Sequence, residues 1–81
     1  MKALLEDMIR AIVDDEEGVE VSVVEGSTSS IYEVRVAPDD LGKIIGRNGR
    51  MAMALRTFVR GMGRKNGSSY LFQVIEERHY G

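Results

Sequence analysis

Residues 41–50 read Leu41-Gly42-Lys43-Ile44-Ile45-Gly46-Arg47-Asn48-Gly49-Arg50, and this stretch is the most informative part of the chain. Two glycines stand three positions apart, after an apolar pair and among basic residues. Glycine lacks a Cβ, so it permits a tight turn and lets another molecule approach the backbone closely. We therefore expect Gly46–Gly49 to join two helices. Alone, the pattern is weak, because nine glycines in 81 residues make chance pairs common and an ordinary turn between helices also satisfies it.

The elements around this motif follow from the spacing of the apolar residues. Helical spacing predicts amphipathic helices, and alternation of apolar with polar residues predicts strands. The predicted order is α-β-β-α-α-β, with helices at about residues 2–13, 40–45 and 50–62 and strands at about 19–23, 32–36 and 70–75. Asp39 or Asp40 is expected to cap the second helix, and Gly61, Gly63 and the turn Asn66-Gly67 are expected to end the third. The acidic run Asp14–Glu17 is expected to form the loop after the first helix.

This order predicts a two-layer α+β fold in one domain that spans residues 1–81. The first two strands should pair as an antiparallel hairpin, and a helical crossover makes the second and third strands parallel. We expect a three-stranded mixed sheet with the helices packed on one face. Leu71 and Ile75 should then lie on the open face, opposite Phe72. An exposed apolar patch there would favour self-association.

The charges are segregated along the chain, although the net charge is only −2. Residues 1–40 hold eleven acids against three bases, whereas residues 41–69 hold seven bases and no acid. This pattern suits an anionic partner at one face, or a solvated helix face that acids elsewhere in the fold balance. Arg56, Arg60 and Arg64 recur at helical spacing, and the same two interpretations apply to them. They either extend a phosphate-binding track or are simply solvated.

Each residue type in the motif has a use for an anionic ligand. Glycines leave the backbone exposed, and basic side chains add cations. The start of the helix that follows the motif offers N–H groups with a partial positive charge. One of the two isoleucines, Ile44 or Ile45, can face the core while the other forms the floor of a groove. Met53 is expected to point toward that groove. The candidate site residues are Gly42, Lys43, Ile44, Ile45, Gly46, Arg47, Asn48, Gly49, Arg50 and Met53.

The run Ile44–Gly49, followed by Ala52 and Leu55, resembles the signature of KH domains, and the element order resembles the type II form of that fold. The resemblance extends over essentially the whole chain to the small stand-alone bacterial KH proteins called KhpA. It includes Tyr32–Pro38 and Ala54–Thr57. Met51 and Met53 depart from the pattern, because relatives more often carry polar or basic residues there. Met53 either packs on a base or weakens the contact with phosphate.

The resemblance implies a non-enzymatic protein whose Gly46–Gly49 loop clamps about four nucleotides of single-stranded RNA by their backbone. It also implies an RNA chaperone or post-transcriptional regulator, and a role in cell shape. A homodimer, or a heterodimer with a larger KH-containing protein, is expected. The motif holds no aromatic residue on which bases could stack. We therefore expect the protein to contact mainly the RNA backbone, with low sequence specificity and an affinity that is sensitive to salt. The alternative is a protein-interaction module that acts mainly by homo- or heterodimerisation.

Other functions find little support in the composition. The chain has no cysteine, and its lone histidine, His79, lies in the C-terminal tail. No nucleophile–base set and no metal-ligand spacing is visible, so we expect no catalysis, cofactor or metal. No secretory signal or membrane-spanning run is present, so we expect a cytoplasmic protein without a membrane partner.

Overall fold

The elements follow one another in the predicted order, and short 3-10 turns stand between several of them. The computed structural model describes residues 1–76, so the prediction about His79 lies outside the described residues. The helices and strands are α1 Lys2–Ile12, β1 Glu20–Glu25, β2 Ser29–Arg35, α2 Leu41–Ile45, α3 Arg50–Lys65 and β3 Ser69–Val74. The 3-10 turns are Glu16–Gly18, Pro38–Asp40 and Arg47–Gly49.

The three strands form one sheet in the order β1-β2-β3. β1 and β2 pair antiparallel, with Val21 opposite Val34, and β2 and β3 pair parallel, with Tyr32 opposite Phe72. The parallel pair follows from the helical crossover, because a chain that returns through α2 and α3 begins β3 at the end where β2 began. The predicted α+β fold with a three-stranded mixed sheet is therefore confirmed, as expected of a type II KH domain.

The core lies between one face of the sheet and the helices. Strand residues that alternate along β1, β2 and β3 point to this face, and α1 and α3 each add an apolar stripe. The buried hydrophobic residues are Leu5, Ile9, Val13, Val19, Val21, Tyr32, Val34, Ile44, Leu55, Val59 and Phe72. On the open face, Leu71 is 40% exposed, as expected, whereas Ile75 is half-buried. The Ile75 N–H donates to the carbonyl of Val34 at 2.9 Å, which ties Ile75 to the end of β2.

Helix α3 is longer than predicted, because Gly61 and Gly63 lie within it and it ends at Lys65. Gly63 is buried where α3 crosses the start of β3, and a Cβ there would lie 2.8 Å from the Tyr70 nitrogen. This glycine therefore serves a close approach between helix and strand. The helix stops at Asn66 and Gly67, and the Ser68 N–H donates back to the Gly63 carbonyl at 2.8 Å.

The expected capping role of Asp39 or Asp40 is wrong. Neither makes a side-chain cap at α2, and Asp40 is buried, with 3% of its surface exposed. The Asp40 carboxylate instead accepts the N–H groups of Asp14 and Asp15 at 3.2 and 3.0 Å, and the Lys43 ammonium at 3.3 Å. Asp40 thus joins the acidic loop after α1 to the start of α2. These bonds, led by the one from Asp15, lower the pKa of Asp40.

The two glycines inside α3 provide a matched test of its packing. Gly63→Ala should destabilise the protein, because backbone atoms of Ser68 and Tyr70 leave no room for a methyl group. Gly61→Ala meets nothing within 4 Å, so it should stabilise by about 0.5–1 kcal/mol through backbone entropy. Both variants share that gain, so the difference between their unfolding free energies isolates an overpacking cost of about 1–3 kcal/mol. Equal stability in denaturant titrations would contradict the tight helix–strand contact.

The Asp40 contacts make stability depend on pH in a definite direction. A carboxyl whose pKa is lowered on folding stabilises the protein above its unfolded value, near 3.8, and loses that effect as the pH falls through its folded value. Asp40→Asn should therefore lower the thermal midpoint at neutral pH and flatten the loss of stability in acid. Asp39→Asn, at an exposed neighbour, is the control and should behave like wild type. If the thermal midpoints of wild type and Asp40→Asn fell equally as the pH was lowered, this role would be contradicted.

Candidate nucleic-acid interface

The turn between α2 and α3, Gly46–Gly49, is hereafter the GRNG loop, and left-handed backbone makes it possible. Gly46 and Gly49 both have φ of 74°, and Asn48 has φ of 57°. Side chains on L-residues disfavour this region, whereas glycine adopts it freely and asparagine more readily than most residues. The sequence Gly-Arg-Asn-Gly therefore places a tolerant residue at each left-handed position. The Gly46 N–H closes α2 on the Gly42 carbonyl at 2.8 Å.

The two glycines of the loop do different work. A Cβ at Gly46 would lie 2.6 Å from the Met51 Cβ and 2.9 Å from the Met51 nitrogen, so the loop folds tightly onto the first turn of α3. A Cβ at Gly49 would meet nothing within 4 Å. Gly46 is therefore needed inside the loop, whereas Gly49 leaves backbone bare on its outer side. A group from another molecule can approach the chain at Gly49.

The cations beside the loop fall into two groups. Lys43 bonds to the carboxylates of Asp14 and Asp40, and these contacts, led by the one with Asp14, raise the pKa of Lys43. Lys43 is therefore held against the acidic loop, and its role in ligand binding stays a prediction. Arg47 and Arg50 are exposed and make no ion pair with any described residue. Among the described residues, Arg47 and Arg50 are thus the cations at the loop that are left unpaired.

The apolar residues of the motif also separate. Ile44 is fully buried in the core, which corrects its assignment to the binding surface. Ile45 is half-buried, so it is the isoleucine that can contribute to a groove. Met51 is half-buried and packs against the core, whereas Met53 is 63% exposed. Ile45 and Met53 are thus the apolar side chains that a ligand at the loop can touch.

The start of α3 adds electrostatic attraction for anions. No side chain caps this helix end, and its first turn contains no acidic residue. Uncapped N–H groups and the helix dipole give such an end a partial positive charge. Gly42 is exposed at the other flank, where a Cβ would meet nothing within 4 Å. The site can hold an anion by backbone and guanidinium contacts.

Asp40 is the contributor that sequence patterns assigned wrongly. It positions both the start of α2 and the Lys43 side chain, yet its partners lie 25 and 26 positions away in the sequence. Its place between Pro38 and an apolar helix is also typical of a helix cap, so no local signal distinguishes the two roles.

Two further kinds of site find no support in the described chain. Within residues 1–76, no group of three or more His, Cys, Asp or Glu side chains is arranged to hold a metal ion. In the same range, each helix is too short or too polar to span a bilayer.

Comparison with known proteins gives a consistent result. The sequence matches the family described as KhpA/KhpB, KH domain, over residues 2–74. RNA-binding protein KhpA of Clostridium acetobutylicum is 41% identical over 75 residues, which cover 93% of this chain and 100% of that protein. The protein of the same name from Aquifex aeolicus is 38% identical over 76 residues, covering 94% and 96% of the two chains.

A third relative, RNA-binding protein KhpA of Mycobacterium tuberculosis, is 49% identical over 59 residues, which cover 73% of this chain and 74% of that protein. No solved structure gives a significant match to this chain. The family match spans both the GRNG loop and all the helices and strands that surround it. The chain therefore belongs to the KhpA/KhpB family of KH domains.

Proposed function

We propose that this protein binds single-stranded RNA and that the GRNG loop clamps the sugar–phosphate backbone. The observation that carries the proposal is the bare backbone at Gly49, which is flanked in sequence by the exposed Arg47 and Arg50 at a helix start that no side chain caps. Phosphate is the anion that this combination suits, because N–H groups and planar guanidinium forks both donate to its oxygens. Relatives that carry the name RNA-binding protein KhpA support the same conclusion.

The proposed mode of binding follows from which side chains are accessible. Phosphates lie across the loop, as in KH domains that clamp about four nucleotides, and bases lie over Ile45 and the exposed Met53. Neither side chain can read the hydrogen-bonding edge of a base, so sequence specificity is low. Counterion release then makes the affinity depend strongly on salt. Asn48, at the tip of the loop, is the remaining polar contact.

The wider role is part of the same proposal. A domain that spans residues 1–81 and binds RNA with little sequence preference suits an RNA chaperone or post-transcriptional regulator in the cytoplasm, without catalysis. Because a single small loop gives a weak clamp, a second copy or a larger KH-containing protein would strengthen binding by linking two loops. Through such a partner the protein would contribute to cell shape.

A second candidate function is a protein-interaction module. The observation that favours it is an aliphatic row across the open face of the sheet, where Val24, Ile31 and Leu71 lie side by side in register. Val24 and Leu71 are 52% and 40% exposed, and a contiguous exposed apolar patch is typical of interaction sites. Salt distinguishes the two candidates. RNA retention that weakens as salt rises supports the clamp, whereas no salt-dependent retention favours the interaction module.

Introducing two aspartates into the GRNG loop should abolish RNA binding without unfolding the protein. In Arg47→Asp/Asn48→Asp, the first change removes a cation, and the second puts aspartate at a left-handed position that it tolerates. Filter binding of total cellular RNA at two salt concentrations measures the loss. Lys2→Asp/Ser27→Asp makes the same change in net charge at exposed positions outside the loop. If the loop variant retained RNA as tightly as wild type, the site would be misassigned.

A second pair of variants separates the two groups of cations. Arg47→Gln should lower the slope of log affinity against log salt by about 0.7, the value for one phosphate contact on a single strand. Lys43→Gln removes the same charge but should leave that slope unchanged and instead lower the thermal midpoint, because Lys43 bonds to Asp14 and Asp40. The reverse pattern would place Lys43 in the clamp.

A further inference from the structure

A second basic site lies apart from the GRNG loop, between the last turns of α3 and the start of β3. An open cavity of about 360 Å³ is found there. Its lining residues are Arg60, Arg64, Ser68, Ser69, Tyr70 and Leu71. None of the residues that form the GRNG loop contributes to this cavity, so a ligand held here is held by a different set of contacts.

The polar side of the cavity is suited to an anion. Arg60 and Arg64 stand one helical turn apart, and neither makes an ion pair with any described residue. The side-chain hydroxyls of Ser68 and Ser69 likewise have no hydrogen-bond partner within residues 1–76. No acidic residue lines the cavity. Two arginines and two serines therefore line one space, and guanidinium and hydroxyl groups are donors that recognise phosphate.

The opposite side of the cavity is apolar and well supported. The Tyr70 ring packs against Tyr32, with centroids 5.2 Å apart, and its hydroxyl accepts a hydrogen bond from Asn66. Gly63 lets α3 approach β3 closely at this point, because its missing side chain leaves the backbone of Tyr70 next to the helix. A cavity with a basic side and an apolar side suits one nucleotide. Its phosphate would lie against the arginines, and its base or ribose would lie against the apolar side.

The cavity and the loop lie along the same side of α3. At 3.6 residues per turn, Met53, Arg60 and Arg64 fall within about 40° of one another around the helix axis. The rise per residue puts Arg60 about 10 Å and Arg64 about 16 Å beyond Met53 along that axis. All three residues are exposed. A strand that leaves the loop over Met53 thus meets a continuous exposed ridge that leads to the cavity.

We propose that this cavity is a second RNA contact, which holds one nucleotide of the same strand that the GRNG loop clamps. The inference rests on the proposed RNA-binding function and extends it, because it makes the footprint longer than the loop alone can cover. Arg60 and Arg64 hold the phosphate, Ser68 and Ser69 donate to its remaining oxygens or to the ribose, and the Tyr70 ring contacts the base. Two separated contacts on one strand raise the affinity through effective concentration.

The test compares two oligouridylates that differ in length. One has about four nucleotides, the number that a KH loop clamps, and the other has about twelve. The variant Arg60→Gln/Arg64→Gln removes the guanidinium groups of the cavity. The control Lys2→Gln/Lys65→Gln removes the same charge from exposed helix positions that neither line the cavity nor lie between it and the loop. Affinities come from NMR titrations of the full chain, which also report which amides move, and thermal melting checks that each variant is folded.

The proposal predicts a length-dependent loss. Arg60→Gln/Arg64→Gln should weaken the longer oligonucleotide about tenfold and lower its salt slope by about 0.7, the value for one phosphate, while the shorter one binds as to wild type. In wild type, the amides of Ser68–Leu71 should shift only with the longer RNA, and the control should lose less than about twofold. Wild-type affinity of the cavity variant for the longer RNA, or an equal loss in the control, would overturn the inference. Failure of wild type to bind either RNA would overturn the proposed function itself, as would retention of both RNAs by Arg47→Asp/Asn48→Asp.

Discussion

The turn between α2 and α3 depends on a residue without a side chain at position 46. Gly46 has a left-handed backbone, and a Cβ there would press into the start of α3 at Met51. Because α2 is only five residues long, the turn must reverse the chain at once so that α3 can reach the sheet. The same tight turn leaves Gly49 bare and points Arg47 and Arg50 outward. The geometry that packs the helices is thus also the geometry that presents the site.

The charged residues near the site fall into two groups, one that stabilises the fold and one that is available to a ligand. Asp40 is buried, and its two backbone hydrogen bonds reach into the loop after α1. Lys43 joins this network, so the cation closest to the buried carboxylate serves the fold. A buried carboxylate without such partners would be costly, which explains why Lys43 is held in place rather than free. The arginines beyond it are left for an anionic ligand.

Helix α3 is the element that links the parts of the molecule. Its inner face supplies Leu55 and Val59 to the core, and its outer face carries exposed arginines over most of its length. Glycine allows close contact at both ends, at Gly46 with the first turn and at Gly63 with β3. The helix therefore presents a straight cationic edge between two places where the backbone approaches closely, and both places are candidate sites for phosphate.

The order of the elements, the loop and the basic segment could be predicted from the sequence, because each depends on residues that are neighbours along the chain. The sheet pairing then followed from that order, since a helical crossover makes the second and third strands parallel. Alternating strands, helical spacing and glycine backbone preferences are local properties. Only the tertiary structure decided which isoleucine is buried, that Asp40 is an anchor rather than a cap, and that Gly63 lies inside α3. Each of these depends on segments far apart in sequence, such as the loop at Asp14 and the helix at Asp40, and burial is a property of how such segments pack.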